Sequence, residues 1–213
     1  MKIKLIRIFI ILRFFFRLKI IFKNPSKYEL VFFDDTNKKF FKDVLDHYNF
    51  FVLQNRIENI NTIYFNLEIL KYFFKFYKGN IMTAYLLALL TIIKPKVVLT
   101  FVDNSLKFSD LAKVLDKKMH FLAIQNAARY DLKKYKYRYR KNLIKTDFTK
   151  KLYIPNFLCF GQYEIDHYKS YKIKVKNFFK IGCLRLSNFL QYAKIKKIKI
   201  KNNYDICLIS EAL

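Results

Sequence analysis

Residues 94–129 read KPKVVLTFVDNSLKFSDLAKVLDKKMHFLAIQNAAR, and this stretch decides the fold. Pro95 breaks the segment before it. Val97 to Val102 is a short apolar run rich in β-branched residues, the pattern of a strand buried on both faces. It stops at Asp103-Asn104. Leu106, Phe108, Leu111, Val114 and Leu115 then recur at helical spacing, and Lys117-Lys118 closes that helix. Phe121 to Ile124 is a second apolar run, ending at Gln125-Asn126. The unit is β-α-β, with polar side chains at the carboxyl end of both strands. In open parallel sheets, ligands bind in the crevice outside those ends. Asp103, Asn104, Gln125, Asn126 and Arg129 are therefore the first candidates for a site. Asp103-Asn104 can equally serve as a helix cap.

Working outward, the same alternation recurs. Tyr28 to Phe33 reads as a strand ending at Asp34-Asp35, and Thr36 can cap a helix carrying Phe40, Phe41, Val44 and Leu45. Phe50 to Leu53 is a further strand, and Asn61 to Phe65 a short one. Leu67 to Tyr77 is an aromatic helix broken by Gly79-Asn80. Ile81 to Ile93 is nearly all apolar and too short to span a bilayer, so it reads as a central buried helix. Pro155 opens a strand over Asn156 to Phe160, which ends at Gly161. A helix follows over Gln162 to Tyr171, with Glu164 placed at its positive end. Asn177 to Ile181 is the next strand and ends at Gly182. A short helical pattern with Arg185 near its start follows. Lys194 to Lys201 reads as a linker or edge element, and Tyr204 to Ser210 as an opening strand. The expected fold class is α/β: a Rossmann-like parallel sheet with helices on both faces.

The first 24 residues are apolar but interrupted by Lys2, Lys4, Arg7, Arg13, Arg17, Lys19 and Lys23. No uninterrupted run of about 20 apolar residues exists, as a spanning helix needs. Residues 1–26 are expected to form a basic apolar leader helix, lying on an anionic membrane surface or packed on the domain. Residues 27–200 form the domain, and residues 201–213 begin something further.

Of the 213 residues, 53% are hydrophobic, which is enough for a sizeable core. The net charge of +26 favours polyanionic partners: nucleic acid, anionic lipid or phosphorylated substrates. The same charge also follows from a compositional skew toward Lys, Ile, Phe, Asn and Tyr. Lys133 to Asn142, KKYKYRYRKN, interleaves bases with tyrosines as single-strand binders do, although a solvated loop explains it as well. Three cysteines, Cys159, Cys183 and Cys207, lack C-x-x-C spacing and lie in or beside apolar runs. They read as reduced and structural, in a reducing compartment. His47, His120 and His167 share no ligand spacing, so no metal is expected, and no cofactor either. Phosphate-loop, dinucleotide and nucleophile-elbow motifs are missing from the sequence.

The order TFVDN, FLAIQNAAR, IPNFLCFGQYEIDHY and FFKIGCLRLSNFL resembles bacterial surface-carbohydrate biosynthesis proteins over about Lys27 to Leu190. These look like glycosyltransferases of the two-Rossmann-domain (GT-B) type. They are distantly similar to the polyglycerol-phosphate transferases of wall teichoic acid synthesis. Where such families usually follow the Gln-Asn pair with glycine, Ala127 stands here. The resemblance implies an amino-terminal, acceptor-side domain and a donor-binding domain beginning near Tyr204, so that this chain alone is inactive. It implies a nucleotide-activated sugar donor and a glycan or lipid-linked acceptor, at the cytoplasmic face of the membrane. As cleft residues it implies Asp103, Asn104, Gln125, Asn126 and Arg129, then Gly161, Glu164, Gly182 and Arg185. Asp103 and Asp34 are the two carboxylates that the strand-end rule offers as a catalytic base. The competing reading is a basic nucleic-acid-binding protein using residues 133–141.

Overall fold

The computed structural model describes residues 18–34, 47–56, 59–127 and 151–196, with the backbone alone at 185 and 193. Its centre is a six-stranded, all-parallel sheet. A separate two-stranded sheet joins β1 (Lys19–Ile21) to β4 (Thr62–Tyr64). The large sheet holds β2 (Leu30–Phe33), β3 (Phe50–Leu53), β5 (Val97–Thr100), β6 (His120–Ile124), β7 (Tyr153–Cys159) and β8 (Lys174–Lys180), in the order β3-β2-β5-β6-β7-β8. The chain steps from β2 to β3 on one side, then crosses back to β5 on the other. That reversal between β2 and β5 is the topological switch point, where doubly wound sheets open a crevice.

Among the described residues five helices flank or follow the strands: α1 (Leu67–Phe76), α2 (Ile81–Ile93), α3 (Leu106–Leu115), α4 (Gln162–Ser170) and α5 (Leu184–Ile195). Helix α5 belongs to a second compact unit that begins at Cys183. Among the described residues no helix is long and apolar enough to cross a membrane.

Register explains the core. Val31, Val98 and Phe121 are paired across three strands, so their side chains share one face. Ala123 pairs with Phe157 and Phe33 with Leu53 on the same face. All of these join one buried cluster with α2, α3 and α4. Phe32 and Leu99, on the opposite face, are buried too, so the central strands are covered on both sides. Helix α2 carries no charged residue over its 13 positions and buries eight of them, as an all-round apolar helix must. It is bounded by Asn80, whose side chain accepts the Thr83 N–H, and by Lys94 in the left-handed region at φ 52°, just before Pro95. In α3, Phe108 sits edge-on to Phe33 and Phe121, with centroids 5.6 and 5.4 Å away. That inner residue fixes α3 over the middle of the sheet.

The structure departs from the sequence reading in several places, among them strand β8, expected over Asn177 to Ile181 and observed over Lys174–Lys180. Residues 19–21, expected in the leader helix, are a strand, because their backbone pairs with β4 instead of within itself. The strand at 62–64 therefore serves that small sheet and not the main one. Strand β7 starts at Tyr153, ahead of Pro155, instead of being opened by it. Pro155 lacks an N–H, and pairing with β8 skips it, while pairing with β6 begins only at Asn156. Finally, α5 runs to Ile195, so the expected linker from Lys194 begins inside a helix. The helix expected after Thr36 and the strand expected at Tyr204 lie outside the described residues. Strand β8 is an edge strand, with Lys174, Lys176 and Lys180 exposed along it.

Candidate functional site

Because every strand of the main sheet runs the same way, Asp34, Asp103, Gln125, Gly161 and Gly182 all fall beyond one edge, as the strand-end rule requires. They do not form one site. At the switch point the edge is open. Under α4 it is closed.

The open part is a cleft of about 320 Å³, walled by Phe33 at the end of β2 and Asp34 after it, Asn55 and Arg56 after β3, and Val102, Ser105, Leu106 and Lys107 at the entry to α3. Asp34 has φ 75°, a left-handed conformation that Asp tolerates better than most residues. Its N–H donates to the Leu53 carbonyl at 3.1 Å, which holds this bend against β3. Its carboxylate, 4% exposed, meets Arg56 Nε at 2.6 Å, and that guanidinium is 45% exposed. Lys107 Nζ donates to the Asn55 carbonyl at 2.9 Å from across the cleft. The opposite wall is set by Thr100, whose hydroxyl donates to the Phe33 carbonyl at 3.2 Å and accepts the Val102 N–H at 3.0 Å. That clip turns the chain out of β5 so that the first turn of α3 faces the cleft. Ser105, not Asp103 or Asn104, caps α3 by accepting the Phe108 N–H at 3.2 Å. Among the described residues one carboxylate thus shares the cleft with two cationic side chains and the positive end of a ten-residue helix, a balance that attracts an anion.

In the closed part Asp103 and Gln125 are spent on internal hydrogen bonds. Asp103 is 1% exposed and accepts the Tyr168 hydroxyl at 2.6 Å. Gln125 is 3% exposed; its Oε1 accepts the Phe160 N–H at 2.9 Å and its Nε2 donates to the Ala127 carbonyl at 3.1 Å. Gln125 therefore staples the end of β6 to the end of β7. Glu164 and His167 are buried on α4, and among the described residues Glu164 Oε2 and His167 Nε2 meet no hydrogen-bond partner. Cys159 is fully buried, and burial pushes its thiol up, with a smaller upward push from Glu164. Such a thiol is a structural hydrophobe, not a nucleophile. Cys183 is half-buried and unbridged, and Cys207 lies outside the described residues.

Asn104 and Asn126 are half-buried in the turns after their strands. Gly161 stands at the N-cap of α4 with extended backbone, while Gly182 has φ 73°. A Cβ on Gly182 would meet nothing within 4 Å, so its backbone conformation, not space, suits glycine there. Arg129 lies outside the described residues, and for Arg185 only the backbone is described. Among the described residues no group of three or more His, Cys, Asp or Glu is placed to hold a metal.

The cleft contains three residues that sequence reasoning missed: Asn55, Arg56 and Lys107. The signal for the first two was present. They follow β3 as Asp34 follows β2, and the strand-end rule was not applied to that strand. Comparison with protein-family models, with curated proteins and with solved structures finds no match.

Proposed function

We propose that this chain is a glycosyltransferase-like protein of cell-surface polysaccharide assembly, whose switch-point cleft holds the phosphate-bearing part of an acceptor. The observation that carries this reading is the open cleft itself, with Arg56, Lys107 and the start of α3 around it. In this role Arg56 and Lys107 bind phosphate oxygens, and the α3 amino terminus adds oriented N–H groups. Asp34 is the carboxylate within reach of the cleft. In transfer, an acceptor hydroxyl attacks the sugar's anomeric carbon, the bond to the nucleotide breaks, and a base takes the hydroxyl proton. Asp34 is assigned that proton because it lines the cleft, in place of Asp103, which does not line it and accepts the Tyr168 hydroxyl.

The test is calorimetric titration of the chain with glycerol phosphate and with inorganic phosphate. Arg56→Gln is expected to weaken both at least tenfold, while Gln125→Ala leaves both unchanged. Equal binding by wild type and Arg56→Gln would overturn the cleft assignment. The net charge of +26 also favours a nucleic-acid reading. That reading gains if an oligonucleotide binds with a steep salt dependence that disappears when the bases of 133–141 are neutralised.

A further inference from the structure

A second chamber takes its wall from Leu53 and Gln54, the residues just before Asn55 and Arg56 of the cleft, and belongs to neither the proposed base nor the phosphate grip. It has a volume of about 520 Å³ and lies between β3, β4, α1 and α2. Its wall includes Leu53, Ile69, Leu70, Phe73, Met82 and Leu89. The polar groups that reach it are already matched to each other. The Tyr85 hydroxyl accepts the Tyr64 N–H at 2.8 Å and donates to the Tyr64 carbonyl at 3.2 Å. Burial pushes that hydroxyl's pKa up to about 12. Gln54 Oε1 accepts the Asn61 N–H at 3.0 Å. A peptide entering the chamber would bring an unmatched N–H and C=O with every residue, at a high desolvation cost. A hydrocarbon chain brings none. The size is within the range of pockets that enclose small ligands. At its mouth Ile81 is 67% exposed and Phe65 46%.

The decisive juxtaposition is where the chain leaves β3. Leu53 and Gln54 line the apolar chamber, and the next two residues, Asn55 and Arg56, line the cationic cleft. Gln54 and Asn55 are consecutive, and successive Cα atoms lie about 3.8 Å apart, so the two environments change over within one peptide unit. We propose that the pair forms one site for a phosphate-headed amphiphile, with its phosphate in the Arg56–Lys107 cleft and its hydrocarbon chain in the chamber. The head placement rests on the phosphate reading of the cleft. The tail placement rests on the chamber alone.

The experiment is titration of the intact chain with butyl, octyl and dodecyl phosphate below their micelle concentrations, with dodecanol and inorganic phosphate as references. Each buried methylene strengthens binding about fourfold, so affinity is expected to climb with chain length by at least a hundredfold in total. Met82→Trp, which fills the chamber, is expected to flatten that climb and leave inorganic phosphate binding intact. Wild-type affinity independent of chain length, with inorganic phosphate still bound, overturns the tail site and leaves the cleft reading standing. Equal affinity for dodecanol and dodecyl phosphate overturns the head placement and the cleft reading together.

Discussion

Beside the switch point, Asp34 meets a half-exposed Arg56 across an open cleft, whereas under α4 Asp103 meets the buried Tyr168 hydroxyl and Gln125 is fastened at both ends. Both regions lie beyond strand ends, and both are built from carboxylates and amides. They differ in what covers them. Over the second region α4 brings Tyr168 down onto Asp103, closing the polar groups against each other. Over the first, the chain diverges to either side of β2, and among the described residues the start of α3 is the helix end that lines the cleft. A polar strand end is thus a candidate for binding only where topology leaves it uncovered, and in this sheet that is the reversal between β2 and β5.

The contrast can be broken or sharpened by substitution. The largest effect is expected from Phe108→Ala, which removes the ring between Phe33 and Phe121 and should cost about 3–5 kcal/mol by urea unfolding. Phosphate binding should fall with it, because α3 forms one wall of the cleft. Binding that survives the loss of stability would show that the cleft does not depend on α3. Next comes Gln125→Leu, which leaves the Phe160 N–H unpaired and should cost about 1–3 kcal/mol. Here phosphate affinity should hold, and a parallel fall would join the two regions into one site. Lys107→Met is the reverse case. It should change stability by about 0.5 kcal/mol or less, since the residue is exposed, yet weaken phosphate binding several-fold. The smallest effect belongs to a control away from both. The Tyr153 hydroxyl, 2.5 Å away, and then Lys176 hold the Asp116 carboxyl below its ordinary value of 3.8. A depressed carboxyl stabilises the fold above its unfolded pKa, and that contribution is lost as pH falls through the folded one. Asp116→Asn should therefore flatten the acid limb of a pH–stability curve below about pH 4, with binding at neutral pH untouched.

Most of the sheet was legible because strands buried on both faces leave continuous apolar runs, and β2, β3, β5 and β6 have such runs bounded by polar residues. Strand β1 was not, since an alternation of Lys and Ile beside further apolar residues suits a helix as readily as a short pair with β4. For the site, the strand-end rule found Asp34, the one carboxylate among the described residues that line the cleft. It could not separate Asp34 from Asp103, because the covering residue, Tyr168, is 65 positions away in sequence. Lys107 was hidden for a different reason: on a helix with a lysine at either end, nothing local marks the one that reaches back to Asn55. The apolar chamber draws its walls from two strands and two helices, and no single stretch announces it.

The lysines of β8 have a further consequence. The sheet ends on one side in a strand whose every second residue from 174 to 176, and again at 180, is a charged amine, and on the other in β3, which is FFVL. An incoming extended chain that copies the hydrogen-bonding pattern would have to line up against those amines at β8, and meets no charge along β3. The molecule is therefore polarised with respect to its own self-association. Added salt, by weakening the repulsion at the lysine rim, removes the asymmetry and makes the sheet extendable at both ends.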